Sequence, residues 1–132
     1  MVVRAMLLIL GAFHVGNGVF MLAAPHAWYV AIPGVMDTGP LNHHFIADIG
    51  LVFLASGTGL ALGALERPWA PVAAVAGAVW PALHALLHIW GWLAHGFPSA
   101  VPAINSEVFG VVGIGILGVA LALARTRQHG GT

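Results

Sequence analysis

The chain has 132 residues, of which 60% are hydrophobic and only 6% are charged. A soluble domain carries about 25% charged residues, so this chain could not cover a surface that faces water. The formal net charge is zero, and four basic residues are too few for a nucleic-acid-binding surface. The absence of cysteine excludes disulfides, thiolate metal sites, covalently attached haem and cysteine nucleophiles.

Four apolar segments are long enough to cross a bilayer as helices, which takes about 20 residues each. They predict an all-α membrane four-helix bundle, a single transmembrane domain over residues 1–132, with helices at about 2–24, 41–65, 69–93 and 104–124. Residues 25–40 lie between the first two segments and hold Trp28, Tyr29 and three prolines. Aromatic rings of this kind gather at membrane interfaces, so we expect a short interfacial helix or turn here.

The four basic residues all fall on one side of this predicted bundle. Arg4 lies in the first segment near its start, Arg67 lies in the turn between the second and third segments, and Arg125 and Arg127 follow the fourth. Neither loop on the opposite side contains Arg or Lys. Because cytoplasmic loops are enriched in basic residues, we expect a multi-pass protein of the cell (inner) membrane with both termini in the cytoplasm.

Two histidines stand four residues apart in the third segment, within Pro81-Ala-Leu-His84-Ala-Leu-Leu-His88. Residues at i and i+4 share one face of a helix, so the two imidazoles form an edge that suits a transition metal or a haem iron. Ionisable residues inside a membrane are costly and usually mark functional sites. The pair is therefore the centre of the predicted site.

Polar residues of the other segments lie at matching depths, in the half of the bundle away from the arginines. With a rise of about 1.5 Å per residue, Asn17 and Asp48 lie at the depth of His88, and His14 lies at the depth of His84. His44 and Glu107 lie nearer to the outer surface. The predicted metal site consists of His84, His88, Asp48 and His14, with Asn17, His44 and Glu107 as residues of the second shell or rim.

The donor types leave three interpretations of this site open. Histidines and carboxylates without thiolates suit Cu, Fe or Zn, and a metal site of this kind would fit a membrane metal-dependent oxidoreductase. A b-type haem would need two axial imidazoles from different helices, such as His44 and His88. Without a cofactor, the protein would be a non-enzymatic membrane subunit, or it would bind a small ligand or protons.

The fourth segment is rich in glycine, with Gly110, Gly113, Gly115 and Gly118. Small residues let helices in a bilayer approach each other closely. Besides lipid, the expected partners are therefore a second copy of the chain or a larger membrane complex that packs on this segment. No nucleic acid is expected.

The first segment contains a Leu-Gly-x-Phe-x-x-Gly pattern, at Leu10 to Gly16, and is closed by Pro25. In this pattern and in overall length, the chain resembles the opening helix and the size of the DoxX-like families of small four-helix membrane proteins. The resemblance implies a four-helix architecture. The His-rich segments 42–48 and 84–88 lie outside it, so it implies nothing about their chemistry.

Overall fold

The computed structural model describes residues 1–130, and the first half of this range forms two long helices with a short one between them. Helix α1 spans Val2–Ala23, and α2 spans Pro25–Ala31, with its proline in the first turn, where no backbone N–H is needed. A 3-10 turn at Val35–Thr38 leads to α3, His43–Gly63. The side chain of Asn42 caps α3 by accepting the backbone N–H of Phe45 at 3.0 Å.

The second half begins with α4, Ala70–His95, and ends in a long helix of mixed geometry. This last helix starts as α5, Val101–Ile104, continues as a π-helix over Asn105–Gly113, and ends as α6, Ile114–Gly130. Four helices of the described chain are therefore long and apolar enough to cross a membrane, and no strand occurs in residues 1–130. The predicted all-α four-helix membrane bundle is confirmed, including the short helix between its first two spans.

The helix boundaries differ most from expectation in the last span, which begins at residue 101 rather than 104 and continues beyond 124. Pro102 lies in the first turn of α5, where a proline does not interrupt a helix. At the other end, the helix continues through Arg125 and Arg127. The apolar segment ends at these charged residues, whereas the helix itself can continue past them into water.

Close backbone contacts join the helices in sequence. The contacting residues are Gly11 with Gly57 for α1 and α3, Gly59 with Gly77 for α3 and α4, and Gly115 with Ala85 for α6 and α4. A methyl group added to Gly11 would lie 2.7 Å from the carbonyl oxygen of Gly57. Such contacts matter because helix association in lipid depends on van der Waals packing rather than on the hydrophobic effect.

The apolar core shared by all four long helices lies at one end of the bundle, which we call the Arg end because it carries the arginines. Its members are Leu7, Leu10, Leu60, Ala64, Ala74, Ala78, Leu121 and Ala122. Toward the opposite end, which we call the far end, buried contacts instead join helices two by two. Gly18 packs on Gly50 between α1 and α3, and Ala85 packs on Gly115 between α4 and α6. The far end is thus built from two helix pairs.

Two arginines tie the Arg end together at the end of α3, where the last carbonyl groups have no partner within the helix. Arg125 donates from Nε to the carbonyl oxygen of Gly63 at 3.0 Å and from Nη2 to that of Leu65 at 2.8 Å. Arg4 donates from Nε to the carbonyl oxygen of Ala64 at 2.6 Å. The first and last helices are therefore both fastened to α3.

Replacing Arg125 by Met should destabilise the bundle. The residue is only 8% exposed, and removal of its guanidinium leaves two carbonyl groups, one buried and one partly buried, without this donor. Hydrogen bonds to charged groups contribute about 1.5–3 kcal/mol each, so we expect a loss of this order in the free energy of unfolding, measured by titration with a denaturing detergent. Arg127→Met, at an exposed position, is the matched control. Equal effects of both changes would contradict the role of Arg125.

The two ends of the bundle should lie on opposite sides of the membrane. Because the chain has no cysteine, Ser99→Cys and Gln128→Cys introduce single reactive thiols, one in the loop after α4 and one near the end of α6. In intact cells, a membrane-impermeant maleimide should label residue 99 and reach residue 128 only after the membrane is opened. Labelling of both thiols from one side would contradict this topology.

Candidate functional site

One face of α4 carries an aromatic ring at every fourth position from Trp80 to Trp92. The rings of Trp80 and His84 are stacked, with centroids 5.2 Å apart and an interplanar angle of 26°. The rings of His84 and His88 meet edge to face at 4.9 Å. The two histidines that the sequence singled out therefore lie side by side on one helix, in a row closed at both ends by tryptophan.

The carboxylate next to His88 belongs to Glu107 in the π-helix. Nδ1 of His88 lies 3.2 Å from Oε2 of Glu107, and Nε1 of Trp92 donates to the same oxygen at 2.7 Å. The side chains of His88 and Glu107 are 27% and 24% exposed, so the pair is largely withdrawn from solvent but still reachable. A carboxylate oxygen without a proton only accepts hydrogen bonds, so a hydrogen bond in this pair needs a proton on Nδ1 of His88; if the ring carries no second proton, Nε2 keeps a lone pair.

His88, Trp92 and Glu107 line an open groove of about 410 Å³ at the far end of the bundle. The remaining lining residues are Leu87, Gly91, Gly96 and Pro98. Small-molecule sites typically measure about 300–1,000 Å³, so the groove is large enough for a small organic ligand and far larger than a bare metal ion needs.

Glycine shapes two parts of this groove. A methyl group added to Gly91 would meet no atom within 4 Å, so the absence of a side chain there leaves the wall open. Gly96 ends α4 with a φ of 93°, a conformation that side-chain-bearing residues rarely adopt. Pro98, in the loop that follows, also lines the groove.

The π-helix sets the direction of Glu107 relative to the rest of the last helix. Gly115 packs against α4 from the α-helical part. In an uninterrupted α-helix, eight residues would place Glu107 about 80° around the axis from Gly115. A π-helix has more residues in each turn and changes this angle, and π-helical turns occur frequently at functional sites. Glu107 consequently faces His88 and Trp92 of α4.

The row of rings continues from α4 through α3 to α1. Trp80 meets Phe53 at 6.4 Å, and Phe53 meets His14 at 5.5 Å. His14 is 1% exposed, and its Nδ1 lies 2.9 Å from the carbonyl oxygen of Leu10. Since a carbonyl only accepts, Nδ1 of His14 carries the proton and Nε2 keeps a lone pair. His14 and His84, which the sequence placed at one depth, are thus connected through two aromatic rings.

Asp48 lies with His44 instead of with His88. Nε2 of His44 is 3.4 Å from Oδ2 of Asp48, and the two side chains are 89% and 55% exposed. This pair is a surface contact between residues i and i+4 of α3. The carboxylate that accompanies His88 is Glu107, which the sequence had placed at the rim.

Asn17 serves the short helix α2 rather than a histidine. Its Oδ1 accepts the indole N–H of Trp28 at 3.0 Å, and its Nδ2 faces the sulfur of Met21 at 3.7 Å. A second bond, from the hydroxyl of Tyr29 to the carbonyl oxygen of Gly39 at 2.7 Å, fixes the other end of α2. The aromatic residues between the first two spans thus hold α2 in place.

The predicted metal ligands fall into separate contacts in this structure. His84 and His88 lie together, Asp48 pairs with His44, and His14 is reached only through Phe53 and Trp80. Among the described residues, no group of three or more His, Asp or Glu side chains is arranged to hold a metal ion. His88 and Glu107 are the two potential donors that meet in the groove.

The sequence interpretation missed Trp80, Trp92 and Phe53. The signal for the two tryptophans was available, because Trp80, His84, His88 and Trp92 repeat at intervals of four residues, which places them along one side of a helix. Phe53 carries no such signal, since one phenylalanine in an apolar segment is an ordinary lipid-facing or core residue.

Fixed charge is divided between the two ends of the molecule. The basic residues lie at the Arg end, where Arg4 also forms an ion pair with Glu66. The far end contains the other three acidic residues, Asp37, Asp48 and Glu107, and neither Lys nor Arg. A ligand in the groove therefore meets negative charge, offset only to the extent that histidines are protonated.

Comparison with known proteins assigns no family to this arrangement. No protein-family model, no curated protein and no solved structure matches the chain. The chemistry of the groove is therefore what indicates the function.

Proposed function

We propose that the protein is a multi-pass protein of the cell (inner) membrane, with cytoplasmic termini, that binds a small organic cation in the groove at its outer face. Glu107 supplies the negative charge, Trp92 the aromatic wall and His88 a hydrogen-bonding partner. The observation that carries this proposal is a largely buried carboxylate on the wall of a 410 Å³ groove, at an end of the molecule that lacks Lys and Arg.

The contacts of Glu107 support its role as a counter-ion. A carboxylate withdrawn from water costs several kcal/mol unless it is paired, and in a membrane protein such a residue usually marks a ligand or ion pathway. Both hydrogen bonds from the protein end on Oε2, which leaves Oε1 for a ligand. Trp92 is held beside the same carboxylate, and a cation over an indole ring gains about 0.5–2 kcal/mol.

A pair of isosteric probes tests whether charge is recognised. Choline and 3,3-dimethylbutan-1-ol have nearly the same shape, but only choline is positively charged. Isothermal titration of the purified protein in lipid nanodiscs should give binding of choline at least about tenfold tighter than that of the alcohol. Equal affinities, or no binding of either probe, would contradict cation recognition by the groove.

A transition metal ion is the second candidate ligand, favoured by the adjacent imidazoles of His84 and His88. The Nε2 lone pair of His88 and a carboxylate oxygen of Glu107 are donors that Cu, Fe or Zn accepts. A third donor such as His84 would have to turn toward them. A bound redox metal would provide the electron-transfer chemistry of a membrane oxidoreductase.

Elemental analysis and absorption spectra separate these alternatives. A metal at one equivalent that is lost in His84→Ala/His88→Ala would favour the metal site. A haem absorption band that is lost in His44→Ala would favour the haem interpretation with His44 and His88 as axial ligands. Metal-free, colourless protein that binds choline would favour the organic cation.

A further inference from the structure

The indole nitrogen of Trp80 is a hydrogen-bond donor without an acceptor in the described part of the chain, although the atom is fully buried. Buried polar groups are nearly always paired with protein or ordered water, so an exception needs an explanation. Trp80 lies near the middle of α4, deeper in the bundle than His88 and outside the groove. Its ring contacts are His84 and Phe53, so neither its position nor its contacts belong to the cation site.

Hydrogen-bond acceptors occur in the rings on both sides of Trp80. His14 is fixed with its proton on Nδ1 by the carbonyl group of Leu10, so its Nε2 accepts. His84 is stacked on Trp80, and a neutral imidazole also provides one acceptor nitrogen. Phe53 separates His14 from Trp80 and has no polar atom. The indole donor of Trp80 thus lies beside one possible acceptor, His84, and across Phe53 from a second, His14.

We infer that a second polar site lies beside Phe53, between Trp80, His84 and His14, and that it binds water. A buried water molecule typically makes two to four hydrogen bonds, and this cluster offers three partners of the right kinds. The water molecule accepts a hydrogen bond from the indole N–H of Trp80 and donates one to an imidazole. It thereby provides the acceptor that this indole lacks among the described residues. The site lies on the part of α4 that precedes the groove residues, and it does not depend on cation binding.

The Trp80 indole proton gives a direct test. In NMR spectra of the full chain in micelles, Trp80→Phe identifies the indole resonance of Trp80 by its disappearance. This proton should show a cross-peak to water and should exchange in heavy water before the backbone amide protons of the surrounding turns of α4. Exchange only together with those amides, without a cross-peak, would overturn the proposal.

His14→Phe keeps a ring against Phe53 but removes the acceptor. The cross-peak between water and the Trp80 indole proton should be lost in this variant. An unchanged cross-peak would overturn the assignment of His14 to the site.

A pair of thiols in α3 tests access independently of Trp80. Residues 53 and 60 lie seven positions apart and hence on nearly the same face of the helix, but Leu60 is 0% exposed within the core of the Arg end. A small neutral methanethiosulfonate reacts with thiolates and hence only where water reaches the thiol. It should modify Phe53→Cys and leave Leu60→Cys unmodified. Modification of neither thiol, or of both at the same rate, would overturn the proposal.

Discussion

Glu107→Gln should weaken the binding of choline by about 30-fold or more, equivalent to about 2 kcal/mol. Removing one member of a buried charge pair typically costs about 2–5 kcal/mol. The loss expected for Glu107→Gln is toward the lower end of this range because the side chain of Glu107 is 24% exposed. The amide oxygen of Gln can still accept the indole N–H of Trp92, so the shape of the groove is retained. The affinity is measured by isothermal titration in nanodiscs.

Two other acidic residues of the far end provide controls for this change. Asp37→Asn removes the same charge from the exposed 3-10 turn outside the groove, and the affinity for choline should remain within about twofold, since exposed charges are strongly screened. Asp48→Asn removes the partner of His44. Loss of binding in Asp48→Asn with normal binding in Glu107→Gln would place the ligand at α3 and contradict the proposed site.

Gly77→Ala should destabilise the bundle. Overpacking typically costs about 1–3 kcal/mol, and we expect a loss in the free energy of unfolding toward the upper end of this range. The added methyl group would lie 2.7 Å from the carbonyl oxygen of Ser56 and 2.8 Å from the carbonyl carbon of Gly59. These are backbone atoms of α3, so α3 and α4 would have to separate. The hydroxyl of Ser56, which donates to the carbonyl oxygen of Gly77 at 2.6 Å, would then lose its acceptor. Unfolding by a denaturing detergent measures the effect.

Gly16→Ala is the matched control, because a methyl group there would meet no atom within 4 Å. Alanine has a higher helix propensity than glycine by about 1 kcal/mol, so this change should leave stability unchanged or raise it. If Gly16→Ala lowered stability as much as Gly77→Ala does, the close contact between α3 and α4 at Gly77 would not be the cause of the loss.

The sequence was sufficient to predict the number of long apolar helices and their order. Composition determines which segments cross the bilayer, and the rise of a helix converts residue number into depth. His84 and His88 lie side by side because their spacing alone places them on one face.

The rotation of each helix about its own axis could not be predicted from the sequence. Asp48 and His88 were expected at one depth, but rotation about each helix axis depends on packing, and it directs Asp48 toward His44. Glu107 reaches His88 because residues 105–113 form a π-helix, which no pattern of apolar residues predicts. Asn17 is occupied by Trp28 because α2 folds back onto α1, a direction set by the single residue Ala24 between the two helices.

The core shared by all four long helices is confined to the Arg end, so the four helices are held together most firmly there. Regions with few buried contacts open at lower free energy than packed cores, so we expect the α1–α3 pair and the α4–α6 pair to separate more readily at the far end than at the Arg end. The groove lies within the α4–α6 pair, whereas the ring contact between Phe53 and Trp80 joins the two pairs. A ligand held between Glu107 and Trp92 therefore binds within the α4–α6 pair, whereas Arg125 joins this pair to α3 at the Arg end.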